Sequence, residues 1–226
     1  MDKQFKVIDL THTLAANIPS WDGTGGFGLE IDTDYKDCVA PNLFRTQKIV
    51  SNAGMGTHMD APAHVIPGGR TIDLLKSDEL VVDCIVVDVI SKSYDNYLVM
   101  PEVIEEFEKA HDQIPAGSFV IFYTGWSKFW ETPKKYHNDH KFPGVHSSTA
   151  DILVTRNVAG VGIDTLSCDR GDAGFPVHHA ILGANKYLVE NIANANLLPP
   201  TGAKILVLPM NIKDATEAPI RLIALV

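Results

Sequence analysis

Gly56-Thr57-His58-Met59-Asp60-Ala61-Pro62-Ala63-His64 lies behind an apolar, β-branched run at residues 46–51 and is framed by glycine and proline. If this segment is extended, alternate side chains share a face, so His58 and Asp60 point the same way. An imidazole and a carboxylate side by side are a donor pair suited to zinc or manganese. Gly54 and Gly56 have the same parity and leave open space beside the pair. Pro62 bends the chain, and His64 follows close enough to return as a ligand or a proton-transfer group. A lone His-x-Asp is more often a hydrogen-bonded histidine beside an Asx turn. Here the flanking glycines and proline argue for a site.

Working outward, short runs rich in β-branched residues recur at 6–10, 46–51, 80–89, 118–123, 160–163, 203–209 and 220–226. Each is bounded by Gly, Pro, Asp or Asn, which predicts strands. Residues 101–111 begin with Pro101, carry acids in the first turn and end in Lys109 and His111, which predicts a helix. A second helix is expected at 147–156, with Ser147 or Ser148 as N-cap and Ile152 and Val154 behind it. Strands outnumber helices. The expectation is one mixed α/β domain over residues 1–226, with a strand-rich core and covering helices.

Composition narrows the function. The chain has 226 residues, 45% of them apolar, which is enough for a sizeable core. Its formal net charge is −9, with no Lys/Arg cluster, which excludes nucleic acid as an expected partner. The N-terminal nine residues are charged where a secretory signal needs an apolar run, and no stretch is long enough to span a bilayer. A cytoplasmic protein without a membrane partner is expected. Cys38, Cys84 and Cys168 are odd in number and far apart, so buried free thiols are expected rather than disulfides. No Gly-x-Ser-x-Gly elbow and no phosphate-binding glycine loop is present. His111, His137 and His140 sit among polar residues and read as surface side chains, and His146, beside a Pro-Gly turn, reads similarly.

Gly-Thr-His-Met-Asp-Ala-Pro-Ala-His resembles the signature of the cyclase-like metal-dependent hydrolases, the family of bacterial kynurenine formamidase (arylformamidase) and isatin hydrolase. Asp9-Leu10-Thr11-His12, Pro19-Ser20-Trp21-Asp22-Gly23, Tyr123-Thr124-Gly125-Trp126, Phe142-Pro143-Gly144 and Gly160–Thr165 are similar to further family segments, as is Phe175-Pro176-Val177-His178 followed by Glu190-Asn191. The resemblance implies the family's swivelling β/β/α fold with a barrel-like core. It implies a divalent metal, Zn or Mn, held by His58, Asp60, His178 and Glu190. His179 adjoins His178, and the spacing to Glu190 favours His178. His64 and Glu190 are the expected acid/base residues, while Asp164, Ser167 and Asp169 are expected to support the site. Trp21 and Trp126 are candidates for a pocket wall, with ordinary packing as the alternative.

One position departs from the pattern. The family's motif carries a histidine where this chain has Gly54, so one metal per chain is expected rather than two. Asn52 and His12 are conceivable substitutes, and Gly54→His is expected to raise metal affinity if position 54 faces the site. The implied activity is hydrolysis of an amide-like C–N bond in a small, aromatic substrate by a homodimer or homotetramer. Alternatives are a lactone or cyclic-amide hydrolase of the same family, or a small-molecule binding protein that has lost catalysis.

Overall fold

The apolar runs form strands, and their pairing closes them into a barrel. In chain order the strands are β1 (Val7–Asp9), β2 (Phe27–Thr33), β3 (Thr46–Ser51), β4 (His58–Asp60), β5 (Val81–Asp88), β6 (Leu98–Val99), β7 (Phe119–Tyr123), β8 (Gly144–Val145), β9 (Gly160–Ile163), β10 (Tyr187–Glu190), β11 (Ala203–Pro209) and β12 (Glu217–Leu225). The helices are α1 (Pro101–His111), α2 (Pro133–His137), α3 (Ser147–Thr155) and α4 (Pro176–Gly183). The computed structural model describes residues 5–23 and 25–226. Residues 1–4, part of the charged N-terminal run, and Thr24 lie outside the described residues.

Seven strands form a ring in the order β12, β11, β5, β7, β9, β10, β4 and back to β12, with β1 paired to the far part of β12. β5, β7, β9 and β10 are parallel, and their crossovers carry α1, α3 and α4. β4, β12 and β11 close the ring antiparallel. This is the expected mixed α/β fold with a strand-rich barrel and covering helices.

Strand parity divides the apolar side chains between two cores. Cys84, Val86, Phe119, Ile121, Tyr187 and Val189 fill the barrel interior. Ile85, Val87, Val120, Phe122, Val161 and Leu188 face outward and meet Ile104, Phe107, Leu153, Val177 and Ile181 of the helices. Burial on both faces explains why these strands read as unbroken apolar runs. β4 is short, but both of its edges are paired, to β10 and to β12. Met59 at its centre enters the barrel interior and is fully buried, contributing about 2–3 kcal/mol. His58 and Asp60 therefore project from the barrel's outer face.

Several expectations are corrected. α3 is capped by His146, whose Nδ1 accepts the Ser148 N–H at 3.2 Å, so both serines lie inside the helix. β12 begins at Glu217 rather than 220, because Pro219 lies within the strand instead of bounding it. Among the described residues β3 pairs only with β2, and each of its residues is exposed. Cys84 and Cys168 are buried, but Cys38 is half-exposed. No helix among the described residues is long and apolar enough to cross a membrane.

Candidate metal centre

Sheet register assembles the centre. β10 places Glu190 opposite His58, and β12 places Glu217 opposite Asp60. Directly opposed residues on one face are close neighbours, so three carboxylates and an imidazole converge on β4. The fifth group comes from the first turn of α4. Asp169 accepts the backbone N–H of Val177 at 3.0 Å and of His178 at 2.9 Å, pinning the helix start. The same carboxylate accepts the His178 Nδ1–H at 2.8 Å. His58 Nδ1–H donates to the Gly56 carbonyl at 2.9 Å, and Asn191 Nδ2 holds that carbonyl at 2.8 Å. With Nδ1 of both rings engaged as donor, each ring turns its Nε2 toward the carboxylates.

Those Nε2 atoms face acids at distances too long for ordinary hydrogen bonds. His58 Nε2 lies 3.6 Å from Asp60 Oδ1 and 3.5 Å from Glu190 Oε2. His178 Nε2 lies 3.6 Å from Asp60 Oδ2 and 3.4 Å from Glu190 Oε1. Asp60 is 1% exposed, and neither of its carboxylate oxygens has a hydrogen-bond partner among the described residues. A buried carboxylate left this way is costly. A divalent cation among these donors removes that cost, and the mixed N,O set suits zinc or manganese. Two triads have donor atoms within 4.8 Å of one another: Asp60, His178 and Glu190, and His58, Asp60 and Glu217.

The electrostatics favour positive charge here. Burial pulls His178 down, but its contacts with Asp169 and Asp60 and the charge of Glu190 outweigh it, raising the pKa to about 10. Burial also opposes protonation of His58, and Asp60 and Glu190 overcome it, so its pKa rises. Asp60 is pushed up by burial yet ends below its ordinary value through His178 and His58. Glu190 rises to about 7, first by burial and then by the Asp60 charge.

His64 stands at the edge of the ring, in the short turn Pro62–His64. Its Nδ1 is 3.3 Å from Glu217 Oε2, a contact that raises its pKa against a smaller effect of burial. Its ring centroid is 5.8 Å from that of His178. Both rings line a cavity of about 480 Å³ whose wall includes Trp21, Met55, Ser167 and Phe175. The Trp21 carbonyl accepts from His137 and His140 Nε2, each at 2.9 Å, and the Trp21 ring packs on His140 at 4.2 Å and meets Phe175 at 5.8 Å. His137 and His140 are therefore half-buried groups that hold the Trp21 loop, not simple surface side chains.

The structure brings together His58, Asp60, His64, His178 and Glu190, with Trp21 on the cavity wall. Trp126 is not on that wall. It is 5% exposed, donates its indole N–H to the Tyr136 carbonyl at 2.8 Å, and packs with Trp130 and Phe142. His179, next to the buried His178, points to solvent. His12 lies outside the ring, stacked on Trp130 at 3.8 Å, and burial lowers its pKa to about 4. Asn52 lines the cavity but belongs to neither triad. Asp164 accepts from the Thr124 N–H, the Thr124 hydroxyl and the Ser127 N–H, and so holds the loop beneath Trp126. Glu217 is the residue that sequence reading missed. Its signal is faint: an acid heading the alternating pattern Ala218, Ile220, Leu222, Ala224.

Fold and site together define a barrel protein with a carboxylate–imidazole cluster that could hold a metal ion on the outer face of its sheet. The Cyclase family model matches residues 8–170, and the chain belongs to that family. It is 30% identical to isatin hydrolase of Roseibium aggregatum over a 246-residue alignment that covers 99% of this chain and 92% of that protein. It is 31% identical to kynurenine formamidase of Salinibacter ruber over 167 residues, 74% of this chain and 73% of that one. Isatin hydrolase A from Ralstonia solanacearum superposes with a TM-score of 0.89 at 29% identity, covering 98% of this chain and 92% of that one.

Proposed function

We propose that this protein is a metal-dependent hydrolase that cleaves an amide-like C–N bond in a small aromatic substrate, in the manner of an arylformamidase. The observation that carries the reading is Asp60, a buried carboxylate whose two oxygens, unpartnered among the described residues, each face an imidazole Nε2. The similarity to isatin hydrolase and kynurenine formamidase supports the same chemistry.

In this reading Asp60, His178 and Glu190 hold the ion, with His58 beside them. Zinc or manganese there supplies Lewis acidity to a carbonyl oxygen and lowers the pKa of water toward roughly 7. His64 is the acid/base group. With Nδ1 held by Glu217, its Nε2 takes a proton from the attacking water and returns it to the departing nitrogen. Glu190 is the second candidate for that task. Trp21 and Phe175, packed together on the cavity wall, seat an aryl ring. A cytoplasmic setting, a homodimeric or homotetrameric state and partners limited to small molecules complete the proposal.

A cyclic amide of the isatin type is the second reading. It is favoured by extent of similarity, since the match to isatin hydrolase spans 99% of the chain and that to kynurenine formamidase 74%. Assay of the metal-loaded protein against N-formylkynurenine and isatin tests both. Turnover of either is expected, and the larger kcat/KM identifies the bond. Metal-loaded protein that hydrolyses neither contradicts the proposal.

A further inference from the structure

We infer that Glu217 is a metal ligand that fills the room left by Gly54, giving the protein a second divalent-cation position on His58, Asp60 and Glu217. The inference rests on the metal centre proposed above and adds a position to it.

Three observations carry it. A Cβ built on Gly54 would collide with Glu217 Oε1 and lie 3.4 Å from His58 Nε2. Position 54 therefore faces the site, and a carboxylate from β12 occupies the volume in which a side chain at 54 would stand. Next, the strand register sets Glu217 directly across from Asp60, so the placement belongs to the sheet and not to a loop. Finally, Asp60 Oδ1 and Oδ2 are both buried without partners, one on the His58 side and one on the His178 side. One position on His178 and Glu190 leaves Oδ1 unexplained, whereas two positions sharing Asp60 use both oxygens. Glu217 Oε2 meets His64 Nδ1 at 3.3 Å, which leaves Oε1 for the ion. An ion pair with His64 alone, on a side chain 24% exposed, would be worth little and would not touch the Asp60 oxygens.

The exchange alters selectivity. An imidazole at 54 would make the triad richer in nitrogen, while Glu217 makes it one imidazole and two carboxylates. That harder set favours manganese over zinc. It also reverses the expectation for Gly54→His, because the new ring meets Glu217 instead of empty space.

The test is metal stoichiometry of stripped, refilled protein, by elemental analysis and Mn²⁺ electron paramagnetic resonance. Wild type is expected to take two manganese ions per chain with a spin-coupled spectrum. Glu217→Gln should keep one ion and bind the second on the order of 10–100-fold more weakly, with the coupling lost. Gly54→His alone should gain no ion and melt at lower temperature. Gly54→His with Glu217→Ala should regain the second ion and now prefer zinc. Two coupled ions in Glu217→Gln at unchanged affinity would overturn the inference. So would a single uncoupled ion in wild type that Glu190→Gln removes and Glu217→Gln does not, an outcome that leaves the proposed function standing. Wild type that binds no ion overturns both. If Glu217→Gln folds poorly, the wild-type spectrum alone decides between a coupled pair and an isolated ion.

Discussion

His64 and Glu217 meet at the cavity edge, and in the proposed mechanism the first moves protons while the second holds metal. His64 belongs to neither metal triad, yet its ring lines the cavity and its Nδ1 is fixed. The His64→Ala protein is therefore expected to keep its metal and lose about 10²–10⁴-fold in kcat. Elemental analysis beside steady-state kinetics checks this. A metal-loaded variant with near wild-type kcat would remove His64 from the chemistry. At this scale the sequence was readable where local geometry decides. Alternation along one strand placed His58 and Asp60 on one face, and family spacing separated His178 from His179. Glu217 was not readable, because only the register of β12 against β4 brings it to Asp60. Trp126 misled for a related reason: an indole N–H can be satisfied by a distant carbonyl, here that of Tyr136, and the ring then belongs to the core.

Among the elements, the hairpin of β2 and β3 stands apart from the barrel. It forms a separate two-stranded sheet, and such a unit is marginal alone. Leu29 pairs with Ile49 and shares a face with Ile31, and all three are at least half exposed, at 53%, 64% and 53% for Leu29, Ile49 and Ile31. The opposite face carries the Glu30–Lys48 pair. In the proposed oligomer, the exposed face of Leu29, Ile31 and Ile49 packs against a second copy of this chain. Light scattering is expected to give a dimer or a multiple of one, and Ile49→Lys should shift it toward monomer. Monomeric wild type at micromolar concentration would contradict this. The strand at 46–51 was correctly anticipated, but its sequence did not tell whether it would join the barrel. β-branched residues mark a strand whether its face meets a core or a partner.

For the whole molecule, the parallel strands β5, β7 and β9 were legible because burial on both faces gives continuous apolar runs. Ring closure was not, since it depends on β4, three residues long, bridging β10 and β12 from distant parts of the chain. That closure does two jobs. It completes the barrel through Met59, and it turns His58 and Asp60 outward against α4, where Glu190 and Glu217 flank them. The proposed hydrolytic centre is therefore built on the element that seals the fold. The most direct test is to strip the protein with chelator, add manganese or zinc stepwise, and follow bound metal and hydrolysis of N-formylkynurenine and isatin in the same sample. Activity should be absent at first and rise in step with metal bound, and Asp60→Asn should lose both together. Full activity in metal-free protein, or in an Asp60→Asn variant that binds no metal, would contradict a metal-dependent centre at Asp60.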